Sequence, residues 1–161
     1  MPRIDLAKVP LRTGSIYPAP YDREVAGRSS LRVGDAGGLT QFGANIVILE
    51  PGARSSMRHW HETEDEFVMA IEGELVLIED EGETPLAPGD CAAFPAGSGN
   101  AHCIVNRGTT PARFLVVGTR AAREVAHYPD HGLKVVIEGG AARFLRADGS
   151  PLDPNAKDQD Q

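Results

Sequence analysis

Short apolar runs, each stopped by glycine or proline, set the rhythm of this chain. Residues 44–50, Ala-Asn-Ile-Val-Ile-Leu-Glu, form a β-branched run halted by Pro51-Gly52, which predicts a strand followed by a turn. Residues 67–71, Phe-Val-Met-Ala-Ile, are apolar at every position; Gly73 interrupts them and residues 74–78 resume. Side chains on a strand alternate faces. Val68 and Ala70 therefore point inward with Glu66, and Phe67, Met69 and Ile71 point outward. An outer face that apolar needs cover, either from the N-terminal segment or from a second subunit. The acidic run at 79–83 reads as a solvated hairpin tip, in preference to a metal site, and Pro88-Gly89-Asp90 as a tight turn. Residues 114–118 predict a buried strand, and residues 133–138 and 142–146 a hairpin around Gly139-Gly140. Residues 121–125 are too short to assign as a helix. No helical period of useful length occurs, so the expected class is all-β.

Before residue 40 the pattern changes to Pro, Gly, Arg and Ser with brief apolar pieces. Tyr17-Pro18-Ala19-Pro20-Tyr21 cannot be a helix interior, because proline removes a donor and fixes φ. A polar turn is expected at 34–38. A disordered tail is the alternative, but Ile4, Leu6, Val9, Leu11, Ile16 and the two tyrosines favour burial, so an arm packed against the strands is preferred.

The chemistry concentrates in His59-Trp60-His61-Glu62-Thr63-Glu64-Asp65-Glu66. His59 and His61 share one strand face. Glu66 has the wrong parity for the same continuous strand, and residues 62–65 are poor strand formers. If those four residues make a hairpin loop, Glu66 returns on the partner strand beside His61. Three ligand-type side chains then converge, and His102, which follows a Gly/Pro-rich loop, could supply a fourth. Such a nitrogen and oxygen set suits a divalent first-row transition metal better than calcium or magnesium. The competing reading is a set of polar residues on a strand edge. The glutamate at hairpin spacing and the histidine in the later stretch favour the metal. Trp60 falls on the opposite face and is read as packing. Asn106 is given a turn or packing role, and His127 and His131 are read as solvated loop histidines in preference to a second metal site. Arg54 or Arg58 could hold a carboxylate, although the parity of Arg58 turns it outward.

Two motifs carry a family resemblance. Gly52-x6-His59-x-His61-x4-Glu66-x6-Gly73 resembles the first cupin motif, Gly-x5-His-x-His-x3-4-Glu-x6-Gly. Gly89-x5-Pro95-x-Gly97-x4-His102-x3-Asn106 resembles the second, Gly-x5-Pro-x-Gly-x2-His-x3-Asn. The likeness spans about residues 41–120. It departs by one extra residue before His59 and two between Gly97 and His102, both in loops. The resemblance implies a single small jelly-roll β-barrel with a central cavity. It also implies His59, His61, Glu66 and His102 as ligands of one divalent transition metal ion, such as Zn, Fe, Mn, Ni or Cu. The expected organisation is an N-terminal arm packing on the barrel (residues 1–39), the barrel core (40–125), a C-terminal loop and hairpin (126–148) and a polar tail (149–161).

Composition narrows the partners. The chain has 161 residues, enough for one domain with a real core, and a formal net charge of −7. That charge, with lysine only at 8, 134 and 157, argues against nucleic acid. Neither a signal segment nor a membrane span is visible, and two cysteines without a secretion signal favour a cytoplasmic setting without a disulfide. Cys91 and Cys103 are expected to act as small buried hydrophobes. Four protein ligands on a metal that accepts six leave two positions open. The expected function is a metal-dependent cupin enzyme acting on a small polar molecule, carboxylate- or sugar-like. Isomerase, decarboxylase or lyase, and dioxygenase chemistry remain open, because cupins share this motif across reactions. No catalytic residue is singled out. The alternative is a non-catalytic ligand-binding or sensor cupin. A closed structural site is disfavoured, because such sites are usually rich in cysteine and Cys91 and Cys103 lie off the ligand set. A homodimer is expected from the outward apolar face.

Overall fold

The computed structural model describes residues 3–152. Its strands are β1 (Leu11–Thr13), β2 (Arg28–Leu31), β3 (Phe42–Leu49), β4 (Trp60–His61), β5 (Glu66–Glu72), β6 (Leu75–Glu79), β7 (Gly82–Leu86), β8 (Cys91–Phe94), β9 (Cys103–Asn106), β10 (Ala112–Thr119), β11 (Arg123–Tyr128), β12 (Leu133–Glu138) and β13 (Ala141–Arg146). One short helix, α1 (Val33–Ala36), and three 3-10 turns complete the regular structure. The expected all-β class is what the chain adopts, in three antiparallel sheets of a β-sandwich or barrel. The sheet orders are β1-β2-β3-β10-β5-β8, β7-β6-β9 and β13-β12-β11-β4.

The core forms where inward faces meet. Val47 on β3 pairs with Phe114 on β10, which pairs in turn with Ala70 on β5. All three are buried and meet Leu75, Leu77 and Ile104 from the small β6-β9 sheet. Leu49 is wholly enclosed, and burying one such leucine stabilises the fold by about 1.5–3 kcal/mol. A second cluster joins Met57, Tyr128, Leu133 and Val135 to Tyr17, Tyr21 and Phe144. Parity on β5 is as expected: Val68 and Ala70 are inside, and Phe67 and Ile71 are each 39% exposed.

Gly73 joins β5 to β6 at φ +90°, and a Cβ there would lie 2.4 Å from the Cβ of Ala112. Only glycine fits both the backbone angle and the space.

Several local expectations are corrected. The segment at 1–39 adds β1 and β2 to the large sheet by pairing β2 with β3. Tyr17, Tyr21 and Val9 find cover, but Leu6, Leu11 and Ile16 are exposed. The expected turn at 34–38 contains helix α1, where Gly34 packs so close to Ala44 that a side chain would not fit. Residues 123–125 open strand β11, which also carries His127, so His127 is not on a loop. Cys91 is exposed, because its register opposite Met69 puts it on the outward face of the sheet; Cys103 is buried, and both thiols are free. The polar tail from residue 153 lies outside the described residues. Among the described residues, no helix is long and apolar enough to cross a membrane.

Candidate metal centre

The two histidine-bearing stretches meet through their backbones. His59 and His102 form an isolated antiparallel bridge, each amide donating to the other's carbonyl at 3.0 and 2.8 Å. His61 follows on β4, whose neighbour is β11. Glu66 starts β5, whose neighbours are β10 and β8. The expected hairpin between His61 and Glu66 is therefore not formed. Residues 62–65 instead cross from one sheet to another, with Glu62 N donating to Val125 O and Thr119 N donating to Asp65 O. The predicted convergence nevertheless occurs, across the space between sheets and not along one ribbon.

The Nε2 atoms of His59 and His61 lie 3.1 Å apart. His61 Nε2 is 3.8 Å from Glu66 Oε2, and His102 Nε2 is 3.3 Å from Glu66 Oε1. One ligand atom each from His59, His61 and Glu66 falls within 4.8 Å of the others, an arrangement able to hold a metal ion. The protonation pattern fits a cation. His59 Nδ1 donates to the Met57 carbonyl at 3.0 Å, so the neutral ring keeps a lone pair on Nε2, aimed at His61. Burial pushes the His59 imidazole down to about 3, so it is neutral at pH 7. Burial also acts to raise the Glu66 carboxyl, but the hydrogen bond with His102 and the surrounding imidazoles outweigh it and hold the group below its ordinary value. The His59 Nε2 lone pair and the Glu66 carboxylate thus belong to one cluster with His61. This donor chemistry suits a first-row transition metal.

Two supports were not legible in the sequence. Glu124, 1% exposed, accepts from Glu62 N at 2.9 Å and Thr63 N at 3.0 Å, and its Oε1 lies 3.4 Å from His61 Nδ1. That last contact lacks hydrogen-bond geometry, but it places a carboxylate behind the ring, as metal-ligating histidines usually have. The only sequence signal was an acid at the head of an apolar pair, Val125-Ala126, in a stretch too short to assign. Phe94 stacks on His102 with centroids 3.5 Å apart and fixes that ring in place. Asn106, fully buried, donates to Leu49 O and Thr110 O and accepts from Gly108 N, which is a turn-holding role.

The remaining candidates stand apart. Trp60 stacks on His127 at 4.3 Å, and His127 Nε2 meets Glu62 Oε1 at 2.7 Å. His131 pairs with Glu24, as does Arg54. Arg58 faces outward and is clamped by Asp80 and Asp130, which raises its pKa.

The four expected metal-site residues line a cavity of about 570 Å³. Glu64 also lines it; its Oε1 accepts from Ala121 N at 2.8 Å, and burial pushes its carboxyl up. Arg12, Arg28, Arg32 and Arg120 line the side formed by the N-terminal strands and the end of β10. Arg120 is paired with Asp35.

A family model described as Cupin domain matches residues 45–118. No match is found among curated proteins. Among solved structures, a sugar phosphate isomerase of the cupin superfamily from Silicibacter pomeroyi is 56% identical. It superposes with a TM-score of 0.93, over 94% of this chain and 97% of that one. A protein from Acidithiobacillus ferrooxidans, provisionally named a sugar phosphate isomerase, is 31% identical over 78% of this chain and 80% of that one, with a TM-score of 0.71. A polyketide cyclase from Streptomyces resistomycificus, 22% identical over 74% of this chain and 79% of that one with a TM-score of 0.58, shares the fold. With both motifs brought to one cavity, and near-complete coverage of a relative this similar, the chain belongs to the cupin superfamily.

Proposed function

We propose that this protein is a metal-dependent isomerase of a phosphorylated sugar, with His59, His61, Glu66 and His102 holding one divalent transition metal ion. The observation that carries the reading is the 56% identity, over nearly the whole of both chains, to a cupin named as a sugar phosphate isomerase. The metal-capable arrangement of His59, His61 and Glu66 within an open cavity supports it. When bound, such an ion polarises a carbonyl or hydroxyl oxygen of the substrate and so acidifies the neighbouring C–H.

The chain's own residues supply the rest. Isomerisation needs a group that takes a proton from one carbon and returns it to another, and its pKa should lie near working pH. Glu64 suits that role, because it faces the cavity, the Ala121 amide orients it, and burial raises its pKa. A carboxylate oxygen of Glu64, like one of Glu124, comes within 4.8 Å of a His61 ring nitrogen. Phe94 and Tyr128, against His102 and His59, limit water on the far side of the imidazoles.

The test is proton exchange in heavy water, followed by NMR over a panel of pentose and hexose phosphates with metal-loaded and metal-stripped protein. Metal-dependent exchange into one substrate and formation of its isomer are expected. Tight binding without exchange anywhere in the panel would replace this reading with a sensor or binding cupin.

We assign the protein to the cytoplasm on its free cysteines. The exposed Phe42, Phe67 and Ile71 on the outer face of the large sheet support a homodimer. Sedimentation of a monomer at micromolar concentration would remove that assembly.

A further inference from the structure

The first strands of the large sheet bring arginines together in an unusual way. Arg12 on β1 is paired with Ser30 on β2, which makes Arg28 its diagonal neighbour, and Arg32 follows the last residue of β2. Diagonal positions on one face are about 7–8 Å apart, within reach of long side chains. Arg28 and Ser30 share a face by parity, Ser30 is buried, and all four side chains line the cavity that contains the candidate metal centre.

The described protein atoms leave this grouping only partly paired. Arg28 is partly buried, and its Nε is enclosed without a hydrogen-bond partner among the described residues. Arg32 has one long ion pair, 3.9 Å to Asp35, and that carboxylate is shared with Arg120. Like charges clustered in a partly dry cavity, with a buried donor unpaired, are unfavourable unless an anion joins them. Burial lowers the pKa of Arg28, the Arg32 charge adds to that, and Tyr17 and Glu66 oppose it without reversing it.

We infer that Arg28, with Arg12 and Arg32, forms a subsite for the phosphate of the substrate, on the β1-β2 side of the cavity shared with the His59, His61, Glu66 and His102 cluster. The inference rests on the isomerase reading for the identity of the ligand, but its geometry stands separately. A phosphate monoester presents several oxygens, and planar guanidinium forks match them two at a time. Anchored there, a sugar phosphate would extend across the cavity towards the imidazoles and Glu64. The segment before residue 40 would thus be part of the binding site, which neither cupin-like motif reaches.

The test uses the whole chain and inorganic phosphate, titrated by calorimetry into metal-loaded and metal-stripped protein. Wild type should bind phosphate in both forms. Arg28→Met should weaken binding by roughly 10- to 100-fold, the size of one or two charge-assisted hydrogen bonds. Arg12→Met should weaken it less, Arg28→Lys should recover part of the loss, and Arg58→Met should change nothing. Metal content should be equal in all of them. Unchanged affinity in both Arg28→Met and Arg12→Met, or phosphate binding only when metal is present, would overturn the subsite. Turnover is absent from this readout, so the two readings fail separately. Isomerisation of a sugar phosphate with unaltered KM in Arg28→Met would sink the subsite and keep the isomerase. Phosphate held through Arg28 with no sugar phosphate turned over would keep the subsite and sink the isomerase.

Discussion

His59 and His102, 43 positions apart in the chain, are locked opposite each other by a reciprocal pair of backbone hydrogen bonds at 3.0 and 2.8 Å. Their ring centroids are 4.9 Å apart. The spacing of the two rings is thus set by backbone pairing and does not rely on side-chain packing alone. A site pre-arranged in this way spends little ordering entropy when it takes up an ion.

His61→Ala should sharply lower metal occupancy, because it removes one of the converging nitrogens while leaving the His59–His102 backbone bridge intact. His131→Ala, which disturbs only the contact to Glu24, should leave occupancy at the wild-type level. Elemental analysis of both variants, purified without added metal or chelator, is the measurement. Equal metal in His61→Ala and wild type would refute the centre.

Glu64→Gln should keep the metal and lose the chemistry. The amide preserves shape and can still accept from Ala121 N, but it cannot carry a proton. A fall in kcat of roughly 100-fold or more is expected, at unchanged metal content. A variant with full kcat would exclude Glu64 as the proton carrier.

Metal-free protein should gain stability as pH rises from about 3 to the ordinary histidine range near 6.5. His59 is depressed to about 3 in the fold, so over that window the unfolded chain binds the extra proton and acid favours unfolding. Glu66 works in the same sense. Its folded pKa is lowered, so its contribution is present above the unfolded carboxylate value and is lost as pH falls through the folded one. Urea midpoints across this range should rise with pH and level off near neutrality. A flat profile in wild type, or an unchanged profile in His59→Gln, would contradict the assignment.

Gly73→Ala should destabilise the fold without touching the centre. A Cβ at φ +90° would sit 2.4 Å from Ala112 Cβ and 2.7 Å from its Cα, both held firmly in β10. Backbone strain alone costs roughly 1–3 kcal/mol, and the overlap adds to it. Chemical denaturation is the readout, and a midpoint equal to wild type would show that the β5-β6 corner can open.

The local pattern of residues sufficed for much of this. Alternation along β5 placed Val68 and Ala70 inside and Phe67 and Ile71 outside, because strand geometry is local and has period two. Pro51-Gly52 and Gly139-Gly140 marked turns for the same reason: backbone freedom belongs to the residue that carries it. The nearness of His59, His61 and Glu66 was legible from their types and spacing, and the cupin-like motifs put His102 beside them as a candidate.

Tertiary structure decided what joins what. Nothing between His61 and Glu66 says that the chain crosses between sheets and does not turn back, since a four-residue polar stretch serves either path. That choice depends on β4 finding β11 and β5 finding β10, partners far along the chain. Glu124 behind His61 became visible only through the β4–β11 pairing, and Arg28 in the cavity wall only through the pairing of β2 with β3. Strand pairing is a contest among all apolar edges of the molecule, and its outcome is settled by total burial, which no short window of sequence contains.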